Sequence, residues 1–516
     1  MRSFAASRLP YLLAGWLLLA AAPAIAAPSS ERGFPLIQTY DPPREASSQS
    51  FDIARDPRGA LYIANGAGLL VYDGAWWRRI EIGKERTAFA VASDGAGRVA
   101  VGGIDELGYL AADAAGTLRF VSLLPLLPPA QRHFDQVLKT IATDKGFLFL
   151  TTRRLWSWDG TRLATIATFP GDWPYADAFD LGGTVYVWTR EGISRLSGAR
   201  LEPVPGGEAF RNRRVDLMLP ADGRLLVSVR GEGLFLLGRD GHALPFAEQA
   251  SRWTAAKKLL EGRRLADGRW ALGSLLGGLL LLRPDGQVEQ VIDSAVGLPD
   301  DYVSGMVLDR EGSLWLALNT GLARVEVASP LSVIDRRSGL QGSAHFVARH
   351  QGRLWIATAA GLFTAAGAGA PAAPEGGGPI WMRAVPGVPS AWTLLAAGED
   401  LLAGAYHGVY VIRGDGAEVV PGTEAITTFV LQPSRADPRR VWMGRDDGLA
   451  ALRREERGWR FEGMIGDLGD EVRTIVEDGD GTLWCGTRTA GVVGVERLEA
   501  GSGAAGPPRL RRIAGS

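Results

Sequence analysis

One cysteine, five histidines and a net charge of −1 across 516 residues remove several classes of protein at the outset. Cys485 has no partner, so there is no internal disulfide framework. It follows Trp484 in an apolar run, which predicts a buried small hydrophobe rather than a nucleophile. His133, His242, His345, His350 and His407 stand at no metal-ligand spacing, so neither a metal nor another cofactor is expected. The balance of 56 basic and 57 acidic side chains gives no electrostatic basis for binding nucleic acid or an anionic membrane surface. No G-x-S-x-G elbow is present and no carboxylate pair stands apart, so no catalytic residue is assigned. Beyond the N-terminus no apolar run is long enough to cross a membrane. The run from Leu275 to Leu282 is short and broken by glycine.

The N-terminus has the composition of an address. Arg2 and Arg8 flank the start, Tyr11 to Ala22 is apolar, and Ala24-Ile25-Ala26 is a small-x-small cleavage pattern. Residues 1–26 are therefore expected to be a secretory signal peptide, with an uncleaved anchor as the alternative. Export combined with a single cysteine fits a bacterial periplasm; a eukaryotic secreted protein of this size would more often be disulfide-rich.

Glycine, in contrast, is abundant at 68 residues, and much of it is periodic. GSLWLALNTGLARV from Gly312, GRLWIATAAGLF from Gly352 and GTLWCGTRTAGVVGV from Gly481 are copies of one unit. Weaker copies begin at Gly59, Gly97, Gly146, Gly183, Gly223 and Gly268, and two more centre on Leu401 and Trp442. The mean period of about 42 residues is that of a four-stranded propeller blade. Each unit has an alternating apolar strand, an Asp-to-Gly turn such as Asp309 to Gly312, an aromatic strand, then Gly-Leu and a third strand. Trp315, Trp355, Trp442 and Trp484 recur at one repeat position and are expected to pack between blades. Asp478-Gly479-Asp480-Gly481 looks like the start of a calcium loop, but the distal glutamate is missing and the repeat places a hairpin turn there.

The expected fold is all-β: a seven-bladed propeller over residues 50–328, then a partial second propeller of four blades over 329–516. Residues 27–49 contain Phe34 to Tyr40, which should complete blade seven as its outer strand and so remove an open edge. Leu331 to Asp335 should do the same for the second ring, and Arg509 to Ile513 should form a final outer strand. The Ala/Gly/Pro-rich stretch from Ala365 to Pro379 is expected to be a surface loop. The second ring is expected to be truncated, as a fragment or a shortened gene.

The G-x-L-W-x-x-T-x-x-G-L units, closest in Gly352 to Leu362, resemble those of the two-component regulator propeller family. Ile334 to Leu340 is similar to that family's inter-blade element, and the stretches from Ser50 to Gly74 and Val101 to Tyr109 look like its first two blades. The resemblance runs over residues 34–513 and implies the periplasmic sensor region of a hybrid histidine kinase or a related membrane-bound cyclase. In that family a β-sandwich, a membrane helix and an output domain come after the propellers, and none of their motifs is in this sequence. Membrane attachment would then come only through a missing C-terminal region, and a homodimer is compatible with the family. Two other classes remain open: an exported propeller enzyme of lyase or quinoprotein type, and an envelope scaffold that binds proteins.

Loops between the second and third strands should converge on one face. They hold Arg153, Arg190, Arg230, Asn319, Tyr406, His407, Arg445 and Arg488. Loops leading into the inner strands open on the same face and hold Trp173, Tyr175 and Trp253. Aromatic faces beside guanidinium forks suit a small-molecule ligand such as a sugar, oligosaccharide or carboxylated sugar. The expectation is that Arg153, Arg190 and Arg230, from successive blades, point into one mouth of the channel, with Trp173 and Trp253 nearby. The alternative for each is an ordinary solvated loop residue.

Overall fold

The computed structural model describes residues 32–84, 87–170, 175–365, 380–496 and 509–513. The signal-peptide segment, Trp173 and nearly all of the Ala/Gly/Pro-rich stretch lie outside the described residues.

The local chemistry of the repeat is visible in one blade. Its strands are Val303–Leu308, Leu314–Leu318 and Leu322–Val325. Between the first two, Asp309 Oδ1 accepts hydrogen bonds from the N–H groups of Glu311 (3.0 Å) and Ser313 (2.8 Å). Gly312 takes the left-handed conformation at φ +84°, which a side chain would strain. The second strand is buried at every position because blades cover both of its faces, so it reads as a continuous apolar run. Trp315 lies in one apolar cluster with Ile53, Leu61, Ile63 and Leu70 of the next blade around the ring. Trp355 and Trp442 are likewise buried against the next blade along the chain.

Eleven such four-stranded antiparallel sheets make up the described fold. The first seven form a ring. Their inner strands are Ser50–Arg55, Ala88–Ser93, Val137–Thr143, Asp177–Asp180, Val215–Ala221, Leu259–Arg264 and Val303–Leu308. Each contacts the next, and the seventh contacts the first. At that closing contact the backbones approach so closely that a Cβ on Gly305 would lie 2.8 Å from the Cα of Asp52. Ile37–Tyr40 completes the seventh sheet, antiparallel to Leu322–Val325, with Ile37 opposite Val325 and Tyr40 opposite Leu322. The N-terminal strand therefore closes the ring, as its Pro-flanked apolar pattern predicts.

Three expectations need correction. Leu331 to Asp335 does not serve as an outer strand of the last blade. Val333 instead exchanges two backbone hydrogen bonds with Phe34, both 2.8 Å, and Arg509–Arg512 takes the outer place. Asp335 then caps a single helical turn at Arg336–Ser338 through the N–H of Arg337. Phe34 itself lies outside the closing strand, which has four residues. Finally, the segment around Trp253 is an α-helix, Glu248–Lys257, rather than a loop.

The last four blades stand side by side as an arc, through inner strands Ala344–His350, Ala391–Ala397, Thr428–Pro433 and Val472–Glu477. Trp484, on the final blade, is half-buried where Trp355 and Trp442 are buried, and its Nε1 donates to Asp478 Oδ2 at 2.9 Å. Among the described residues no further blade covers it.

Candidate functional site

The axis of the first ring is shaped by a recurrent irregularity. In ten of the eleven blades the inner strand slips register near its start, leaving one residue without a cross-strand partner. Such a bulge shifts the alternation of side chains by one and re-aims those beside it. In the first ring the unpaired residues include Phe51, Phe89 and Ser304, and all three line a cavity at the mouth of the channel. Blade four has no such slip, and its Asp177 lines the same cavity.

The mouth cavity has a volume of about 400 Å³. Phe51 and Phe89 form one wall, their rings tilted with centroids 4.5 Å apart, and Tyr175 and Tyr302 contribute further aromatic surface. Its floor is a crossbar. Lys139 Nζ, from blade three, meets Glu261 Oε2, from blade six, at 3.0 Å across the axis. A second cavity of about 480 Å³ lies beyond and shares Asp52, Lys139 and Glu261 with the first, so these three side chains divide the channel. Arg263 also holds Glu261 from that second side.

The charges in the mouth are unevenly paired. Burial works against the Lys139 ammonium, but the Glu261, Asp177 and Asp52 carboxylates outweigh it and hold its pKa above the usual range. Burial likewise opposes ionisation of Glu261, but Arg263 and Lys139 prevail and hold it well below the carboxylate range. Arg214 has its Nε 3.2 Å from Asp216 Oδ1 and its guanidinium 4.5 Å above the Tyr175 ring. Asp52 and Asp177 have no ion-pair partner among the described residues. Asp52 accepts from the N–H groups of Ile53 (2.8 Å) and Val91 (3.0 Å), and Asp177 from that of Ala178 (2.8 Å). Burial pushes each of them up to about 6, even with Lys139 nearby.

The side chains singled out from the sequence are distributed unevenly around this cavity. Tyr175 lines the mouth cavity; Arg153, Arg190 and Arg230 are not among its lining residues. Arg153 is exposed. Arg190 is exposed and donates from Nε to Asn212 Oδ1 at 3.2 Å. Arg230 is held by Asp216, Nε to Oδ2 at 2.8 Å, so one carboxylate serves both Arg230 and Arg214. Trp253 packs its ring on the apolar cluster between blades five and six. Asn319, Tyr406 and His407 are exposed, the last two edge to face with centroids 4.5 Å apart. Arg445 pairs with Asp447 at 2.9 Å, and Arg488 with Glu471 at 3.0 Å. Among the described residues no three His, Cys, Asp or Glu side chains are gathered to hold a metal. Cys485 is buried, and burial pushes its thiol up to about 12.

Sequence reasoning missed Asp52, Lys139, Asp177 and Glu261. Lys139 is a lone charge inside the otherwise apolar strand VLKTIAT, a mismatch that could have found it, whereas Asp52, Asp177 and Glu261 share their strands with Arg55, Asp180, and Arg263 and Arg264. It also missed a row at the same bulge position in the later blades. His345 stacks on Trp392 at 4.2 Å, Trp392 meets Phe429 edge to face at 5.2 Å, and the Arg473 guanidinium covers Phe429 at 3.8 Å.

A family model, the two component regulator propeller, matches residues 466–489. No curated protein matches the chain. Among solved structures, the chain is similar to the extracellular domain assigned to the hybrid two component system BT3049 of B. thetaiotaomicron. The two are 17% identical, with a TM-score of 0.62, over 89% of this chain and 65% of that one. The extracellular domain assigned to the one component system BT4673 of the same organism is 14% identical over 92% of this chain and 73% of that one, with a TM-score of 0.45. At such identities the likeness is one of fold, and the chain spans about 65% of the length of the BT3049 domain.

Proposed function

We propose that this chain is the periplasmic ligand-sensing region of a bacterial signal-transduction protein of the two-component or cyclase type, and that its first ring takes a small molecule in the mouth cavity. The observation that carries the reading is the cavity itself: aromatic walls with a few fixed charges, at the axis of a closed ring. The shared fold with an extracellular sensor domain supports the exported setting and the sensing role. In this reading the ring performs no chemistry. Binding at the axis touches several blades at once and changes how they sit together, which an output region elsewhere can read.

A thermal-shift screen of the purified chain against a small-molecule collection tests this. Compounds that raise the melting temperature of the wild type and lose the effect in Tyr302→Ala support the reading. A collection in which every stabilising compound acts equally on Tyr302→Ala and on Phe51→Ala overturns it.

A further inference from the structure

Resting on that reading of the mouth, we propose that its ligand is a small organic cation, an amine or guanidine with an apolar or aromatic body, and that Asp52 and Asp177 bind the charge. Among the described residues the ionisable lining of the cavity comprises three carboxylates, Asp52, Asp177 and Glu261, and two cations, Lys139 and Arg214, beside its tyrosines. Both cations are already engaged: Lys139 with Glu261 at 3.0 Å, Arg214 with Asp216 at 3.2 Å. An arriving anion would have to compete with Glu261 for Lys139 at the floor, or with Asp216 for the part-exposed Arg214. Glu261 would keep Arg263 and Asp216 would keep Arg230, so the anion gains a cation only by giving up an existing charge-assisted contact.

The carboxylates are in the opposite position. Asp52 and Asp177 accept backbone hydrogen bonds only; Lys139 lies near both but pairs with Glu261, and neither aspartate forms an ion pair of its own among the described residues. A ligand cation supplies what both are missing. The walls suit the same guest. Phe51, Phe89 and Tyr302 line the cavity, and aromatic rings attract a cation at their faces through the quadrupole, most strongly where water is excluded. Asp300, two residues before Tyr302, does not line the cavity but is tied to a residue that does. Its Oδ1 accepts the Tyr302 N–H at 2.7 Å, and its Oδ2 is shut off from solvent without a hydrogen-bond partner. The proton held by a buried carboxyl is released when the cation arrives, so binding and proton release are linked.

The test uses titration calorimetry on the whole chain with six probes. Choline, putrescine and tryptamine are cations, indole-3-propionate and glucuronate are anions, and glucose is neutral. The expected result is binding by at least one cation and by none of the other three. Affinity for that cation should fall at least tenfold in Asp177→Asn and in Tyr302→Ala and stay within twofold in Arg153→Ala. The melting temperature of each variant is measured alongside, so that unfolding is not taken for lost affinity. At pH 6 the heat of cation binding should change with the ionisation enthalpy of the buffer, which reports released protons. Binding of an anion or of glucose that Tyr302→Ala abolishes overturns the cation assignment and leaves the sensing reading standing. Cation binding unchanged in both Asp177→Asn and Asp52→Asn overturns the assignment as well. Binding by none of the six overturns the cation assignment, and the wider collection above then decides the sensing reading separately.

Discussion

A carboxylate taken out of water without a cation of its own keeps its proton longer, and Asp52 and Asp177 are both in that position. Each titrates near 3.8 when unfolded and is pushed up to about 6 in the folded ring. Between those values the native chain binds more protons than the unfolded one. Their contribution to stability is therefore fully present below pH about 4 and is lost as the pH rises through 6. Glu261 runs the other way. Its folded value is lowered, so its contribution is present above its ordinary range and is lost as the pH falls toward the folded value. Asp177→Asn removes a buried charge at neutral pH but only a neutral carboxyl in acid. We expect scanning calorimetry to show the first ring stabilised by on the order of 1–2 kcal/mol more at pH 7.5 than at pH 4.5. An equal shift at both values contradicts the burial argument. At this scale the sequence was partly legible. Tyr175 is reached because the repeat fixes where the loops enter the inner strands. Lys139 is not, because whether the third residue of VLKTIAT faces a neighbouring blade or the axis depends on a bulge. Hydrophobic alternation carries no mark of that one-residue slip.

At the scale of strands and turns, the Asp-to-Gly turns and the buried aromatic strands are local chemistry, and they are where the sequence suggests. Closure of the ring was legible as well, from the Pro-flanked run before Tyr40, because an unfilled edge has unpaired backbone groups to satisfy. The Val333 bridge was not legible. An apolar strand of five residues suits either partner, and only spatial proximity selects Phe34. The N-terminal segment thus does two jobs. Ile37–Tyr40 completes blade seven, while Phe34 and Arg32 tie the segment to the chain beyond the ring. Phe34 does so through Val333, and the Arg32 carbonyl by accepting the Ile380 N–H at 2.8 Å. Deleting residues 27 to 45 is expected to lower the melting transition of the first ring by many degrees. Blade eight should loosen modestly, and the transition of residues 391–496 should be unchanged. Calorimetry of the truncated chain decides this, and an unaltered first transition would falsify the closing role of the strand.

Over the whole molecule, eleven blades are one solution repeated. A blade buries its faces only against neighbours, so the seven that close on themselves and the four that do not are under different constraints. In the ring the fixed repeat position of Trp315 finds an adjoining blade, and in the last blade Trp484 finds none among the described residues. The sequence displayed the number and kind of blades because the repeat is local. It did not display the mouth, which exists only once seven inner strands meet and bring Asp52, Lys139, Asp177 and Glu261 from four blades to one axis. The loop arginines looked stronger on paper because they sit at matching positions in successive repeats. In the folded chain Arg230 is held by Asp216, and the cavity opens among other residues.

Hydrogen exchange, read by mass spectrometry with and without a stabilising small molecule, tests the central claim that the first ring senses a ligand at its axis. The account predicts protection concentrated in peptides covering Ser50–Arg55, Val137–Thr143, Asp177–Asp180 and Leu259–Arg264. These are four inner strands far apart in sequence that share one cavity. Protection confined to the loops carrying Arg153, Arg190 and Arg230, or to blades eight to eleven with the axis unchanged, would contradict it.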